Sequence, residues 1–290
     1  MDVIYVTLII MLISNENVAK LIPGKLEPLN PERLAKEDEF NFIVSIELHD
    51  TIHFPMCIGT IIGRISVLTA AHCLGMRWKS VSGNLLVVAG SRILIPSVSV
   101  DILIRRVVKQ TLHPKYQTQQ HKHDIAILTL EKAFDFKKFA ITQASLQVQP
   151  IEDGSLCEFL GWGIDIYFGL NATNIPLKAT TVRAYNTEWC RFIFQKSQLD
   201  EFQLCAQKPV MYPKPCSFDM GSPLVCNKAV VGVGAKRYNC DDIKKPHTFM
   251  MISKYHRFLL VLDEFVTFNC TISCHCKLVL LFLTSFVLLR

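Results

Sequence analysis

From Phe40 to Phe265 the chain repeats one pattern: short apolar or alternating runs, about ten to fifteen residues apart. The runs are Phe42–Leu48, Ile65–Ala70, Leu85–Ala89, Val98–Val108, Ile125–Leu130, Leu156–Leu160 and Val230–Val233, with Gly, Pro, Asn, Asp and Ser clusters between them. Runs this short and evenly spaced predict strands, and no long helical period separates them as βα units require. The pattern predicts an all-β fold, an antiparallel sandwich or barrel. Two stretches read as helix: Thr187–Phe194, and Ser253–Phe265, where Phe258, Leu259, Leu262 and Phe265 fall at helical spacing. Lys20–Glu39 is polar, carries three prolines and shows no apolar period, so it reads as a linker or pro-segment. No internal repeat or low-complexity tract is present.

Both ends depart from this pattern. Val3–Ile13 is an almost unbroken apolar run, long enough for a signal h-region and too short to span a bilayer. Its n-region carries Asp2 and no Lys or Arg. Ala19 offers a small residue for cleavage, with Ser14 as the rival site. Leu278–Leu289 is again apolar, and twelve residues do not cross a bilayer as a helix. Two readings stay open for this tail: a lipid-anchor signal, which needs about 10–20 apolar residues behind a polar spacer, or a disordered or self-packed tail. Cys270, Cys274 and Cys276 crowd the place of the spacer. The expected division is a signal peptide over 1–19, a linker over 20–39, the main domain over 40–265 and a Cys-containing apolar tail over 266–290.

Composition narrows the compartment. Eleven cysteines behind a signal-like segment argue for an oxidising, extracellular setting. There Asn171-Ala172-Thr173 and Asn269-Cys270-Thr271 become glycosylation sequons. The formal charge of +6 comes from scattered pairs such as Arg105-Arg106, Lys137-Lys138 and Lys244-Lys245. No run is long enough for a nucleic-acid arm, so a solvated basic surface is expected and no nucleic-acid partner.

Three stretches carry candidate chemistry. Val67-Leu68-Thr69-Ala70-Ala71-His72-Cys73 places an imidazole after an apolar strand, with Cys57 sixteen residues before Cys73. His123-Asp124-Ile125-Ala126-Ile127-Leu128 places a carboxylate before another. Cys216-Ser217-Phe218-Asp219-Met220-Gly221-Ser222-Pro223-Leu224-Val225-Cys226 forms the third. Together they resemble the histidine, aspartate and nucleophile motifs of trypsin-like serine proteases. Phe42-Ile43-Val44-Ser45-Ile46 is similar to that family's first strand, and Cys157-Glu158-Phe159-Leu160-Gly161-Trp162-Gly163 to its C-x-x-x-G-W-G segment. The resemblance covers about Phe40 to Phe265. It implies two antiparallel six-stranded β-barrels with a C-terminal helix, and the pairs Cys57–Cys73, Cys157–Cys226, Cys190–Cys205 and Cys216–Cys240. It implies no metal and no cofactor.

Set against the family pattern, four features depart. Acyl transfer needs a hydroxyl nucleophile, an imidazole base and a buried carboxylate. His72 and Asp124 match the last two, while Met220 stands where the serine is expected. A thioether has no proton to give and is a poor, neutral nucleophile. Ser217 and Ser222 flank the position out of register. Phe218 replaces a glycine whose freedom aims one oxyanion donor. Lys214 stands at the base of the specificity pocket, Lys236 and Arg237 on its wall, and His247 in place of a glycine that keeps it open; a basic substrate side chain would be repelled. The expected activation segment, about Leu29-Asn30-Pro31-Glu32, follows no basic residue, so Asp219 lacks its usual partner. The sequence therefore predicts a secreted, non-cleaving homologue that acts on another extracellular protein by binding. An endopeptidase with a displaced nucleophile and a tethered or polyanion-binding surface protein are the alternatives.

Overall fold

A computed structural model describes residues 32–48, 55–74, 85–94, 102–163, 174–194, 199–207, 220–236, 246–262 and 268–269, all within one compact unit. Strand follows strand through most of it: β1 (Glu32–Leu34), β2 (Ile43–Leu48), β3 (Pro55–Ile61), β4 (Ser66–Thr69), β5 (Leu85–Ala89), β6 (Ile93–Leu94), β7 (Leu103–Leu112), β8 (Ala126–Leu130) and β9 (Leu146–Gln147). Beyond these lie β10 (Ser155–Gly161), β11 (Ile175–Pro176), β12 (Lys178–Tyr185), β13 (Gln203–Gln207), β14 (Pro223–Cys226), β15 (Ala229–Lys236), β16 (His247–Met251) and β17 (Phe268–Asn269). Two helices interrupt them, α1 (Thr187–Phe194) and α2 (Ile252–Leu262).

The strands close into two six-stranded antiparallel barrels. The first runs β2-β3-β4-β8-β7-β5, and the second β14-β10-β12-β13-β16-β15 with β15 returning to β14. The expected all-β architecture with a C-terminal helix is thus present. Closure leaves these strands no free edge, which is how an all-β chain avoids presenting unpaired backbone groups. The last turn of the second barrel is set locally. Asn227 and Lys228 both take positive φ, 50° and 64°, the geometry a two-residue hairpin needs to follow the right-handed strand twist.

The apolar runs bury as expected. Every position of β2 is buried, and its one internal charge is answered within the strand, where Ser45 Oγ donates to Glu47 Oε1 at 2.6 Å. Ile46, Ile58, Ile61, Leu68, Ile127 and Leu128 fill the first barrel, while Phe159, Leu204, Leu224 and Phe249 fill the second. Disulfides join Cys57 to Cys73, Cys157 to Cys226 and Cys190 to Cys205, as the resemblance implied. Cys216 and Cys240 lie outside the described residues.

Part of the expected linker is strand. Glu32–Leu34 pair with β12 along Glu32↔Thr180, Arg33↔Ala179 and Leu34↔Lys178. Arg33 holds this strand in place with a two-pronged contact to Glu39 at 2.7 Å on each side and a second carboxylate, Glu158 of β10, at 2.8 Å. Glu32 in turn meets Lys178 at 2.8 Å. Pairs this exposed contribute little singly, so the strand pairing itself supplies the specificity of this docking.

Candidate active site

The first barrel's register explains why His72 and Asp124 meet. In the antiparallel pair β4–β8, Thr69 lies opposite Ala126. His72 follows Thr69 by three residues, in the single 3-10 turn Ala71–Leu74, and Asp124 precedes Ala126 by two, so both leave the same end of the same strand pair. His72 Nδ1 lies 2.6 Å from Asp124 Oδ2, and the His72 backbone N–H donates to Oδ1 at 2.7 Å. The carboxylate is fully buried, and the imidazole keeps 13% of its side-chain surface open. Burial alone would push the Asp124 carboxyl up. The adjacent His121 imidazole, the His72 side-chain hydrogen bond and charge, and the His72 backbone N–H outweigh that, and hold it below the usual carboxylate range. A buried carboxylate fixing one imidazole tautomer is the orienting half of a nucleophilic triad.

His121 was not singled out in the sequence, yet it completes the cluster. Its Nδ1 is 3.5 Å from Asp124 Oδ2, close enough for charge attraction but without a hydrogen bond, and its ring meets His72 edge-on at 5.8 Å between centroids. Its placement follows from a tight loop. Gln117 and Lys122 form a bridge, and His121 and His123 both take positive φ, 49° and 51°. Histidine tolerates this left-handed region better than most residues, but two such positions within one turn are still uncommon. The sequence signal was the spacing His121-x-x-Asp124, which means nothing until the loop is folded.

The second barrel delivers the position expected for the nucleophile. The Ile58 N–H of β3 donates to the Met220 carbonyl at 2.8 Å, while Thr69 Oγ1 donates to the Ile58 carbonyl at 2.8 Å. Gly221, at φ +80°, lies against that same carbonyl and hydroxyl. Its N–H reaches the Gly234 carbonyl at 3.1 Å. Met220–Gly221 thus sit between β15 of one barrel and the strands of the other from whose end His72 projects. The Met220 side chain is half-buried against the core. Ser222 is fully buried, its hydroxyl donated to the Leu160 carbonyl.

The remaining expected site residues divide. His247, in β16 opposite Ala206, is 7% exposed, its ring edge-on to Phe159 at 5.4 Å, so its imidazole is packed into the second barrel. Lys236 ends β15 with its backbone opposite Thr248. Lys214, Ser217, Phe218, Asp219, Arg237 and Asn171 lie outside the described residues, and Asn269 is described only as backbone in β17.

Behind the site, His123 and His113 stack at 4.8 Å, enclosed by Tyr255 and Phe258 of α2 and by Phe202. His123 Nδ1 lies 3.2 Å from the Tyr255 hydroxyl. Burial, the neighbouring imidazole and Lys115 push His113 down to about 4. Burial, with Lys115 and Lys122 and against Asp200, pushes His123 down as well. Both rings therefore favour their neutral form when folded. The His113 contribution to stability is complete above about pH 6.5, the ordinary histidine value, and is lost as the pH falls towards about 4; the His123 contribution is lost in the same direction. Between pH 7 and 4, His113→Phe, which keeps a stacking ring and removes the proton site, is expected to lose less thermal stability than the wild type. The gap should be several degrees, since 1 kcal/mol corresponds to about 2–4 °C in folds near this size. Parallel melting curves for the two proteins across that range would rule the stack out as the cause.

Two closed barrels, with an imidazole–carboxylate pair at the end of one and the loop before β14 of the other seated against it, define a chymotrypsin-like hydrolase scaffold. The trypsin family model matches residues 32–259, and the chain belongs to the trypsin family of serine proteases. Chymase of Canis lupus familiaris is 30% identical over 208 residues, covering 71% of this chain and 78% of that protein. Cathepsin G of Mus musculus is 26% identical over 261 residues, covering 88% and 90%. Trypsin of Phaedon cochleariae is 28% identical over 214 residues, covering 73% and 79%.

Proposed function

We propose that this chain is a secreted serine protease homologue that does not cleave, and that it acts by binding another extracellular protein, as a regulator or cofactor in a proteolytic cascade. The supporting observation is a mismatch within one site. His72 and Asp124 keep the 2.6 Å pair that would activate a nucleophile, and the residue that the family resemblance aligns with the nucleophile is Met220, which has no proton for His72 to take. The burial of Ser222 supports the same reading, and so does the imidazole of His247 inside the second barrel. In Lys214, Lys236 and Arg237 the pocket positions carry charges that repel a basic substrate side chain. Secretion is supported by the apolar run Val3–Ile13 and by three disulfides among the described residues. No helix among those residues is long and apolar enough to cross a membrane.

The test is covalent. A fluorophosphonate probe reacts with a serine that a histidine has activated, so the purified full chain is expected to stay unlabelled where an active trypsin under the same conditions is labelled to completion. Labelling at any serine, located by peptide mapping, would overturn the proposal and restore the endopeptidase alternative.

A further inference from the structure

We propose that the outer face of the second barrel, from a cavity beside Phe40 to the aromatic side chains of α1, is a docking strip for an extended basic and apolar segment of another extracellular protein. The strip can be traced residue by residue. At one end is an open cavity of about 620 Å³ whose apolar lining is Phe40, Phe42, Leu156 and Val225. The Phe40 and Phe42 rings meet edge-on at 6.1 Å. Phe40 takes a φ of 60°, uncommon for so bulky a side chain, and backbone strain of this kind collects at ligand sites. Leu156 lies opposite Arg183 in the β10–β12 register, so the two side chains share one face. Tyr185, two residues beyond Arg183 on β12, continues that face. Its ring is 6.4 Å from that of Trp189 on α1, which in turn meets Phe192 edge-on at 6.0 Å. From Thr181, which also lines the cavity, the strip reaches Phe192 over about 25 Å, the length of an extended segment of about eight residues.

Exposure and rigidity mark this strip as a contact surface. Leu156, Trp189 and Phe192 are 49%, 47% and 78% exposed. The helix that presents the last two is pinned from beneath by the Cys190–Cys205 disulfide and by Thr187 Oγ1, which donates to the Gln203 carbonyl at 2.6 Å. Aromatic side chains held rigid in this way dominate many protein–protein contacts. Charge chooses the partner. Asp38, Glu39, Glu152, Asp153, Glu158 and Glu188 line or flank the strip, six carboxylates against the four cations Arg33, Arg183, Arg191 and Lys228, on a chain whose formal charge is +6. Three of those cations are engaged within the fold: Arg33 with Glu39 and Glu158, Arg183 with the Gly154 carbonyl and Arg191 with the Leu199 carbonyl. Asp38, Glu152 and Glu188 are exposed and belong to no ion pair among the described residues. A cationic segment therefore meets unanswered carboxylates and aromatic faces together. Arg33 already displays that chemistry, its guanidinium 5.8 Å from the Phe40 ring centre while two carboxylates hold it. The inference rests on the binding role proposed above, and gives that role a face and a partner chemistry.

The experiment is a calorimetric titration of the full chain with an acetylated octapeptide that alternates arginine with leucine and phenylalanine. A second peptide carries glutamate in place of every arginine. The expected result is one equivalent of the basic peptide, bound at least about tenfold more weakly by Trp189→Ala and by Phe192→Ala, the loss typical of a central aromatic contact. Asp38→Asn is expected to weaken it as well, and so is added salt. Val108→Ala, which trims a comparably exposed apolar side chain on β7 of the first barrel, is expected to leave it unchanged. All four side chains are exposed, so the variants are expected to fold, and circular dichroism confirms that before titration. Equal affinity in the wild type and in a Trp189→Ala, Phe192→Ala double variant would overturn the strip, as would no binding at millimolar peptide. Binding of the glutamate peptide as tight as that of the basic one would overturn the choice of partner. Self-association of the wild type that the double variant abolishes, read by sedimentation equilibrium, would overturn a foreign partner and give the strip to a second copy of the chain. Peptide binding is read without hydrolysis, so fluorophosphonate labelling decides the loss of cleavage separately, and either result can fail alone.

Discussion

Gly221→Ala is expected to be the most destabilising single methyl group that can be added at the site, costing about 2–5 kcal/mol. Two separable causes contribute. At φ +80° an L-residue meets its own carbonyl, a cost of about 1–2 kcal/mol. The added Cβ also lands on the Ile58 carbonyl and the Thr69 hydroxyl, two groups already bonded to each other, and neither can rotate away. Overpacking of that kind costs about 1–3 kcal/mol more. Gly154 separates the causes. It has nearly the same φ, +83°, but the nearest atom to its Cβ position is Tyr185 Cε1 at 3.9 Å, so Gly154→Ala should show the conformational cost alone. Denaturant unfolding reads both, as a fall in midpoint at unchanged slope. If the two variants lose equal stability, the close seat of Gly221 between the barrels is wrong, and with it the placement of Met220.

The strands that were legible in the sequence are those carrying large aliphatic side chains in runs, such as Leu85–Ala89 and Ile125–Leu130. β12 was not, although it alternates: its buried positions include Ala179, Val182 and Ala184, whose small side chains give little contrast against the intervening polar residues. β3 was hidden by Pro55 and by Gly59, which sits mid-strand because Val44 and Val67 fill the space of its missing side chain. β1 was hidden by prolines, and it is a strand only because β12 is there to pair with it. The barrels' closure is a long-range property that the spacing left open between sandwich and barrel. At the site, His72 and Asp124 could be named because each sits in a local motif. His121 could not, because its meaning depends on two left-handed histidines and the β4–β8 register. The burial of Ser222 is legible only through its bond to Leu160, sixty-two residues away.

Met220→Ser alone is expected to leave peptidase activity below detection, despite returning a hydroxyl to the one position that lacks it. The His72–Asp124 pair is already in place, so if the missing nucleophile were the only fault the variant would turn over. Loss of a triad member leaves only about 10³–10⁴-fold acceleration over water, a figure that belongs to this family's own triad, and restoring the member should recover the remainder. Recovery is opposed by faults on other stretches of the chain. The family resemblance implies that Phe218 replaces the glycine that aims an oxyanion donor, and loss of one such donor costs about 10²–10³ in kcat. His247 is buried within the second barrel, and the family resemblance implies that Lys214 falls at the base of the pocket, where it would oppose a basic side chain. Each of these acts on binding or on the transition state whatever residue occupies position 220. Hydrolysis of peptide amides with basic, aromatic and small residues before the scissile bond, followed to high enzyme concentration, is the measurement. Turnover within about a hundredfold of an active trypsin on any of them would show that Met220 is the sole lesion. A variant that reacts with a fluorophosphonate and still cleaves no amide would instead assign the loss to the pocket and oxyanion positions, with His72 and Asp124 still able to activate the hydroxyl given to them.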